Sequence, residues 1–332
     1  MKVLLTGGSG FIASHCLRTL LARDHTVVTT ARSAEKGEKI LAAYPSASEG
    51  QLSYVIVPDI AKEDAFDQAI ISDPPFDAVV HTASPFHFRF QDPKELLDPA
   101  IRGTKGLLKA IKNNAPTVKR VVITSSFAAI TQTEEHPAVY DDSMWNPVTY
   151  EEGVADRGKT YRASKTLAER AAWAFMDEEK PNFSLATVCP PYVFGPPIHR
   201  PETPAGINTS NLYFAMLMQG GWKERLPPTG TWLWVDVRDI ALAHVKAMEV
   251  SEAGGKRFLV TEGHFDMKNV AEIVQKNLPA YADKFPPVLE SDKPNPLYGY
   301  DNSLSKKVLG LEYLPLETSV LDTIKTLEGY HA

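Results

Sequence analysis

The chain opens on a short apolar run, Val3-Leu4-Leu5, then a turn carrying Gly7, Gly8 and Gly10, then an amphipathic stretch beginning at Phe11. That order predicts strand, glycine turn, helix. The β-branched run His25 to Thr30 predicts a second strand, and Glu35 to Tyr44 a second helix. The alternation continues with strands over Leu52 to Val57, Ala78 to His81 and Val121-Val122-Ile123, and with helices over Glu63 to Ile71 and Ala100 to Lys112. A polar stretch from Thr131 to Gly158 reads as a long surface loop with one short ordered piece, and loops of that length usually carry function. Tyr161 opens a helix that continues through Glu169, Trp173 and Met176, and Phe183 to Val188 is a sixth strand. Repeated strand and helix predict an α/β fold, a doubly wound parallel sheet covered by helices on both faces, with ligands at the carboxyl ends of the strands. After the sixth strand the pattern becomes Pro-rich, aromatic and irregular, with no clean linker, internal repeat or low-complexity tract.

Composition narrows the classes. A chain of 332 residues with 43% hydrophobic content can bury a sizeable core. A formal charge of −6 with scattered Lys and Arg gives no basic footprint, so no nucleic-acid partner and no membrane partner is expected. The two cysteines, Cys16 and Cys189, have no metal-type spacing and read as buried apolar thiols in a reducing compartment; no metal is expected. The opening residues lack a signal-peptide pattern and no apolar run reaches membrane-spanning length, so the expected localisation is cytoplasmic.

The glycine turn is the first candidate site. Tight reversal brings backbone N–H groups against a pyrophosphate where a Cβ would block the approach, and a helix starting there aims its positive end at phosphate. The spacing is Gly7-x-x-Gly10-x-x-Ala13. After the second strand, Ala31-Arg32-Ser33 offers a guanidinium where an NAD-binding fold usually places an acid, and Lys36 lies one helical turn on. Two cations attract a 2′-phosphate, which favours NADP(H) over NAD(H). Asp59 either accepts from an adenine amino group or caps the next helix. Thr82-Ala83-Ser84 are small residues that permit a close cofactor approach, and His81 reads as a packed strand histidine. Ser125 and Ser126 bring two hydroxyls to the ligand edge after the fifth strand. Tyr161 and Lys165, four apart, share one helical face; a fixed cation favours the phenolate and suits the tyrosine to proton transfer.

With these residues together, the chain resembles the extended short-chain dehydrogenase/reductases, and within them the fungal NADPH-dependent carbonyl reductases of the methylglyoxal and isovaleraldehyde reductase type, related to dihydroflavonol reductases. The resemblance rests on TGGSGFIASH, ARSAEK, VPDI, HTASPF, VVITSS, the Tyr-x-x-Ser-Lys segment, CPPYVFGPP and WVDVRDIA, and spans essentially the whole chain. It implies a Rossmann-type fold and a catalytic set of Ser126, Tyr161 and Lys165, with Lys165 also bonding the nicotinamide ribose. It implies cofactor contacts at Gly7, Gly8, Ser9, Gly10, Phe11, Ile12, Arg32, Lys36, Asp59, Ile60, Thr82, Ala83, Ser84, Tyr161, Lys165, Pro190 and Val193, the last on the nicotinamide side. Many relatives carry an Asn in the helix before strand five that steadies the lysine through water; here Ala100 stands in its place, which puts the proton relay in question.

The resemblance also implies two lobes: an NADP-binding domain over 1–189 plus about 229–254, and a smaller C-terminal substrate-binding lobe over about 190–228 plus 255–332. Asp236 before Val237-Arg238-Asp239 reads as a capping box for a helix returning to the main domain. Phe86, Phe127, Tyr192 and Phe194 follow strand ends and are candidates for an apolar substrate cleft. The expected function is reversible NADPH-dependent reduction of ketones and aldehydes by a monomer or homodimer acting on a small-molecule carbonyl substrate. The alternatives are a dihydroflavonol or cinnamoyl-type reductase, a steroid dehydrogenase or, from another class, a non-catalytic NADP-sensing regulator.

Overall fold

A computed structural model describes residues 1–84, 90–132, 134–199 and 206–328. In chain order the described elements are β1 (Lys2–Thr6), α1 (Phe11–Ala22), β2 (Thr26–Ala31), α2 (Ala34–Ala42), β3 (Leu52–Ile56), β4 (Ala78–His81), α3 (Lys94–Asn114), β5 (Arg120–Thr124), β6 (Val139–Tyr140), α4 (Tyr150–Ala155) and α5 (Arg157–Glu179). Then come β7 (Ser184–Cys189), β8 (Tyr192–Phe194), α6 (Leu212–Met218), β9 (Leu233–Asp236), α7 (Val237–Glu249), β10 (Lys256–Leu259), β11 (Gly263–His264), α8 (Met267–Asn277), β12 (Gly299–Tyr300), α9 (Ser303–Leu309) and α10 (Leu316–Leu327).

Seven strands form the main sheet in the order β3-β2-β1-β4-β5-β7-β10, every pair parallel. The reversal of strand order between β1 and β4 is the switch point at which a doubly wound sheet opens a crevice. Side chains alternate across the sheet as the pleat requires. Val3 and Leu5 face a core shared with α1, α2 and α7, while Leu4 faces a second core shared with α3 and α5. Burial on both faces explains why these strands read as apolar runs rather than alternating ones.

A second unit follows β7. β8 and β9 pair in parallel and β11 joins β9 antiparallel, with α6, α8 and α10 packed around Phe194, Phe214, Trp234, Phe265 and Ile324. β10, between β9 and β11 in the chain, pairs with β7 in the main sheet and lies past the boundary expected near 254. α9 likewise packs on the main core through Leu309, joined by Leu311 just past its end.

Three local expectations change. Glu63 to Ile71 is a run of turns rather than a helix, held by bonds such as Ala65 N–H to Lys62 O and Asp67 N–H to Asp64 O, with Phe66 and Ile70 buried beneath it. The helix expected from Ala100 starts at Lys94 and passes through Pro99, because buried Leu96, Leu97 and Ala100 hold its first turns against the body. The long loop holds two ordered pieces, β6 and α4, the latter closed by a Thr149/Glu152 capping box. Among the described residues no helix is long and apolar enough to cross a membrane.

Candidate active site

The glycine turn sits at the switch point. Gly7 has φ +75°, and its N–H donates to Thr30 Oγ1 at 2.9 Å. A Cβ on Gly8 would fall 2.2 Å from Thr29 Oγ1, so only glycine fits. Gly10 starts α1 with no side-chain cap, which leaves the first-turn N–H groups for a ligand. Gly10, Phe11, Ile12 and Ala13 line a cleft of about 570 Å³. Ser9 is exposed at the rim of the turn.

The opposite wall of that cleft carries the reactive groups. Ser126 ends the extended segment after β5 and caps the short helical turn Phe127–Ala129, its Oγ accepting from Ala128 N–H at 3.1 Å. Tyr161 Oη donates to the same oxygen at 3.5 Å. Asp156 caps α5 one turn before Tyr161, so Gly158, Tyr161, Arg162 and Lys165 fall on one stripe of the helix and all line the cleft. Thr82, Ser84, Pro190 and Val193 complete the walls, and Ala83 packs against Gly7. The geometry separates the two serines: Ser125 Oγ turns away and donates to Glu169 at 2.5 Å.

Electrostatics differ from the sequence expectation in one respect. Burial holds the Tyr161 phenol above its ordinary pKa, outweighing the opposing hydrogen bond to Ser126, whereas a neighbouring lysine was expected to lower it. Lys165 is pushed down to about 8 by burial, with Glu169 one turn on pulling the other way. His81 is buried and pushed down to about 3, by burial first and by the Lys165 charge second. Thr6 Oγ1 accepts from Thr82 N–H at 3.1 Å and Ala83 N–H at 3.0 Å, so its one proton goes to His81 Nδ1 at 2.8 Å. That assigns His81 as neutral with its proton on Nε2, a packed strand histidine.

Glu169 is the structural residue the sequence reading missed. Buried at 2% exposure, its carboxylate accepts from Ser125, from Thr187 Oγ1 at 2.7 Å and from Arg257 Nε at 2.7 Å. Arg257, on β10, stacks on Trp145 at 3.7 Å and donates to the carbonyls of Ala129 and Asp142. This ion pair fastens α5, β5, β7 and β10 beneath the reactive groups. The available signal was an acid four residues past Lys165, on the stripe that already carries Tyr161. Cys189 lies 3.7 Å from the same carboxylate, so it is buried but not in an apolar setting; burial raises its thiol to about 12. Cys16 is a free buried thiol packed in the first core.

Along the far edge, Arg32 and Lys36 are exposed at the carboxyl end of β2, with Ser33 capping α2 between them. Asp59 is exposed and accepts from Ala61 N–H at 2.9 Å, capping the turn segment with one oxygen. The Ile60 carbonyl lies against Gly103 of α3, while its side chain packs on the second core. Ala100 is buried in α3 and presents only a methyl group.

The aromatic candidates divide. Tyr192 lines the cleft; Phe127 lines it too, although it is 2% exposed and packed edge-on against Tyr140. Phe194 does not reach it: fully buried, it is enclosed by Phe214, Trp234 and Phe265 in the lobe's core. Phe86 lies outside the described residues. Asp236 caps α7 by accepting from Arg238 N–H at 2.8 Å, but the reciprocal half of the expected capping box is absent because Asp239 accepts from Leu314 N–H instead.

Residues 3–261 match the model of the NAD dependent epimerase/dehydratase family. The chain is 49% identical over 330 residues to the ketoreductase azaE of Aspergillus niger, covering 98% of this chain and 97% of that protein. It is 36% identical over 338 residues to the NADPH-dependent methylglyoxal reductase GRE2 of Saccharomyces cerevisiae, covering 97% of each. The crystal structure of the yeast methylglyoxal/isovaleraldehyde reductase Gre2 complexed with NADPH superposes with a TM-score of 0.90 at 35% identity, over 99% of both chains.

Proposed function

The chain belongs to the NAD dependent epimerase/dehydratase family, and from that premise we propose that it is an NADPH-dependent carbonyl reductase, converting ketones and aldehydes to alcohols and running in reverse as an alcohol dehydrogenase. One observation carries the reading: Ser126, Tyr161 and Lys165 line the same cleft as the uncapped first turn of α1. The residues fit a phosphorylated dinucleotide. The glycine turn suits its pyrophosphate, Arg32 and Lys36 its 2′-phosphate, Asp59 and Ile60 its adenine end, and Thr82, Ala83, Ser84, Pro190 and Val193 its nicotinamide half.

When bound, NADPH supplies the hydride. Tyr161, kept protonated by burial, gives its phenolic proton to the carbonyl oxygen. The Ser126 Oγ already accepts from Ala128 N–H and Tyr161, which leaves its own proton to hold that same oxygen. Lys165, with a pKa near 8, is cationic at neutral pH and stabilises the phenolate left on Tyr161. In the oxidative direction the Tyr161 phenolate takes that proton back from the alcohol, with Ser126 holding the same oxygen.

Dihydroflavonol, cinnamoyl and steroid reductions share this chemistry and differ only in the pocket. A sensing regulator has no need of the three reactive side chains in one cleft. The smaller unit around α6, α8 and α10 is the substrate lobe, and the enzyme works as a monomer or homodimer in the cytoplasm, where two buried free thiols are at home.

The test is Tyr161→Phe with an aryl ketone and saturating NADPH. Turnover falls by roughly 10²- to 10⁴-fold while NADPH still binds, as read by quenching of protein fluorescence. Near-normal turnover refutes the mechanism.

A further inference from the structure

The cleft-facing stripe of α5 carries one side chain that the reduction leaves idle. Arg162 lies between Tyr161 and Lys165 in sequence and lines the cleft with them. It is half-buried, and its guanidinium has no ion pair or hydrogen bond with any described residue. Other guanidiniums nearby are engaged: Arg157 and Arg170 lie over Phe90 and Trp145, and Arg257 grips Glu169.

The chemistry around Arg162 is one-sided. Among the described residues lining the cleft there are two cations, Arg162 and Lys165, and no carboxylate. Thr131, Asn208, Thr209, Ser210 and Thr231 add hydroxyl and amide groups to that lining. The Arg162 charge is felt on the Tyr192 side of the cleft: it opposes the upward effect of burial at Tyr140 and Tyr192 and adds to the downward effect of burial at His136. A half-buried guanidinium with no counter-charge among the described residues is suited to an anion, and its planar fork matches a carboxylate bidentately.

Building on the reductase reading, we propose that Arg162 determines substrate specificity and that the preferred substrates are oxo-acids, with a carboxylate held by Arg162 while the nearby carbonyl oxygen meets Tyr161 and Ser126. The aromatic wall at Tyr192 then accommodates the remainder of the substrate. An apolar cleft alone would rank substrates by size; a guanidinium beside the proton donor ranks them by charge.

The experiment compares phenylglyoxylate with its methyl ester, each reduced by wild type, Arg162→Gln and Arg162→Lys with saturating NADPH. The wild type prefers the acid in kcat/KM. Arg162→Gln lowers the acid-to-ester ratio by about 10- to 100-fold, chiefly through KM for the acid, and Arg162→Lys restores part of it. A wild-type preference for the ester, or an acid-to-ester ratio that Arg162→Gln leaves unchanged, overturns the assignment. Reduction of neither compound overturns the reductase reading itself, and the ester reaction keeps the two failures apart. NADPH titration of each variant by fluorescence verifies that the fold and cofactor site are intact.

Discussion

Asp239 shows how a single carboxylate can set a pH dependence far from the chemistry. It is 5% exposed, and burial raises its pKa to about 7 despite the hydrogen bond from Leu314 N–H. The unfolded chain releases this proton near the ordinary aspartate value of about 4, so between about pH 4 and pH 7 the folded state holds more protons than the unfolded state. This group therefore costs stability progressively as pH rises through that window, and the penalty is constant above it. Asp239→Asn keeps an oxygen for Leu314 and removes the charge. It is expected to match the wild type near pH 4 and to melt several degrees higher at pH 8; equal melting temperatures at pH 8 would show that the carboxylate is not penalised. At this scale the sequence was informative where spacing constrains geometry, as with Tyr161 and Lys165. Spacing alone could not separate Ser125 from Ser126, a choice that only the resemblance made, because adjacent side chains diverge only once the backbone is placed. It also put Phe194 in the cleft with Tyr192: both lie on one face of β8, but the lobe's aromatic residues close over the inner one.

At the scale of elements, α5 is held by its buried ion pair more than by its exposed surface. Glu169→Gln leaves Arg257 charged and 9% exposed without its counter-ion, a change expected to cost roughly 3–5 kcal/mol in urea unfolding. The loss of kcat should exceed that of NADPH affinity, since the clamp orients Ser125 and the stripe bearing Tyr161 and Lys165. A cost below about 1 kcal/mol would mean the pair merely breaks even with its desolvation. Elements were legible where periodicity was long and punctuation weak. The helix expected from Ala100 begins about a turn and a half earlier, because tertiary burial of Leu96 and Leu97 carries α3 across Pro99. The apolar positions over Glu63 to Ile71 fit a helix equally well as the buried side of consecutive turns, and only packing decides between them.

For the whole molecule, binding should register as stability. A ligand at 100 times its dissociation constant stabilises the fold by about 2.7 kcal/mol, so NADPH is expected to raise the melting temperature well above the effect of NADH at the same concentration. In an Arg32→Ala, Lys36→Ala double variant the two cofactors should give similar shifts. Equal shifts in the wild type would contradict the 2′-phosphate role of these cations. The doubly wound sheet was legible from the alternation of strands and helices, but its last strand was not, because β10 is short and follows the excursion into the smaller unit. That placement governs how the chain can assemble. Synthesis delivers β7, then β8, β9 and α7, and only afterwards β10, which covers the edge of β7 and brings Arg257 to Glu169. Until it emerges from the ribosome, a buried acid lacks its cation and a parallel edge stays open, so the two units are committed to maturing together, and no cut between α7 and β10 yields a self-sufficient dinucleotide domain.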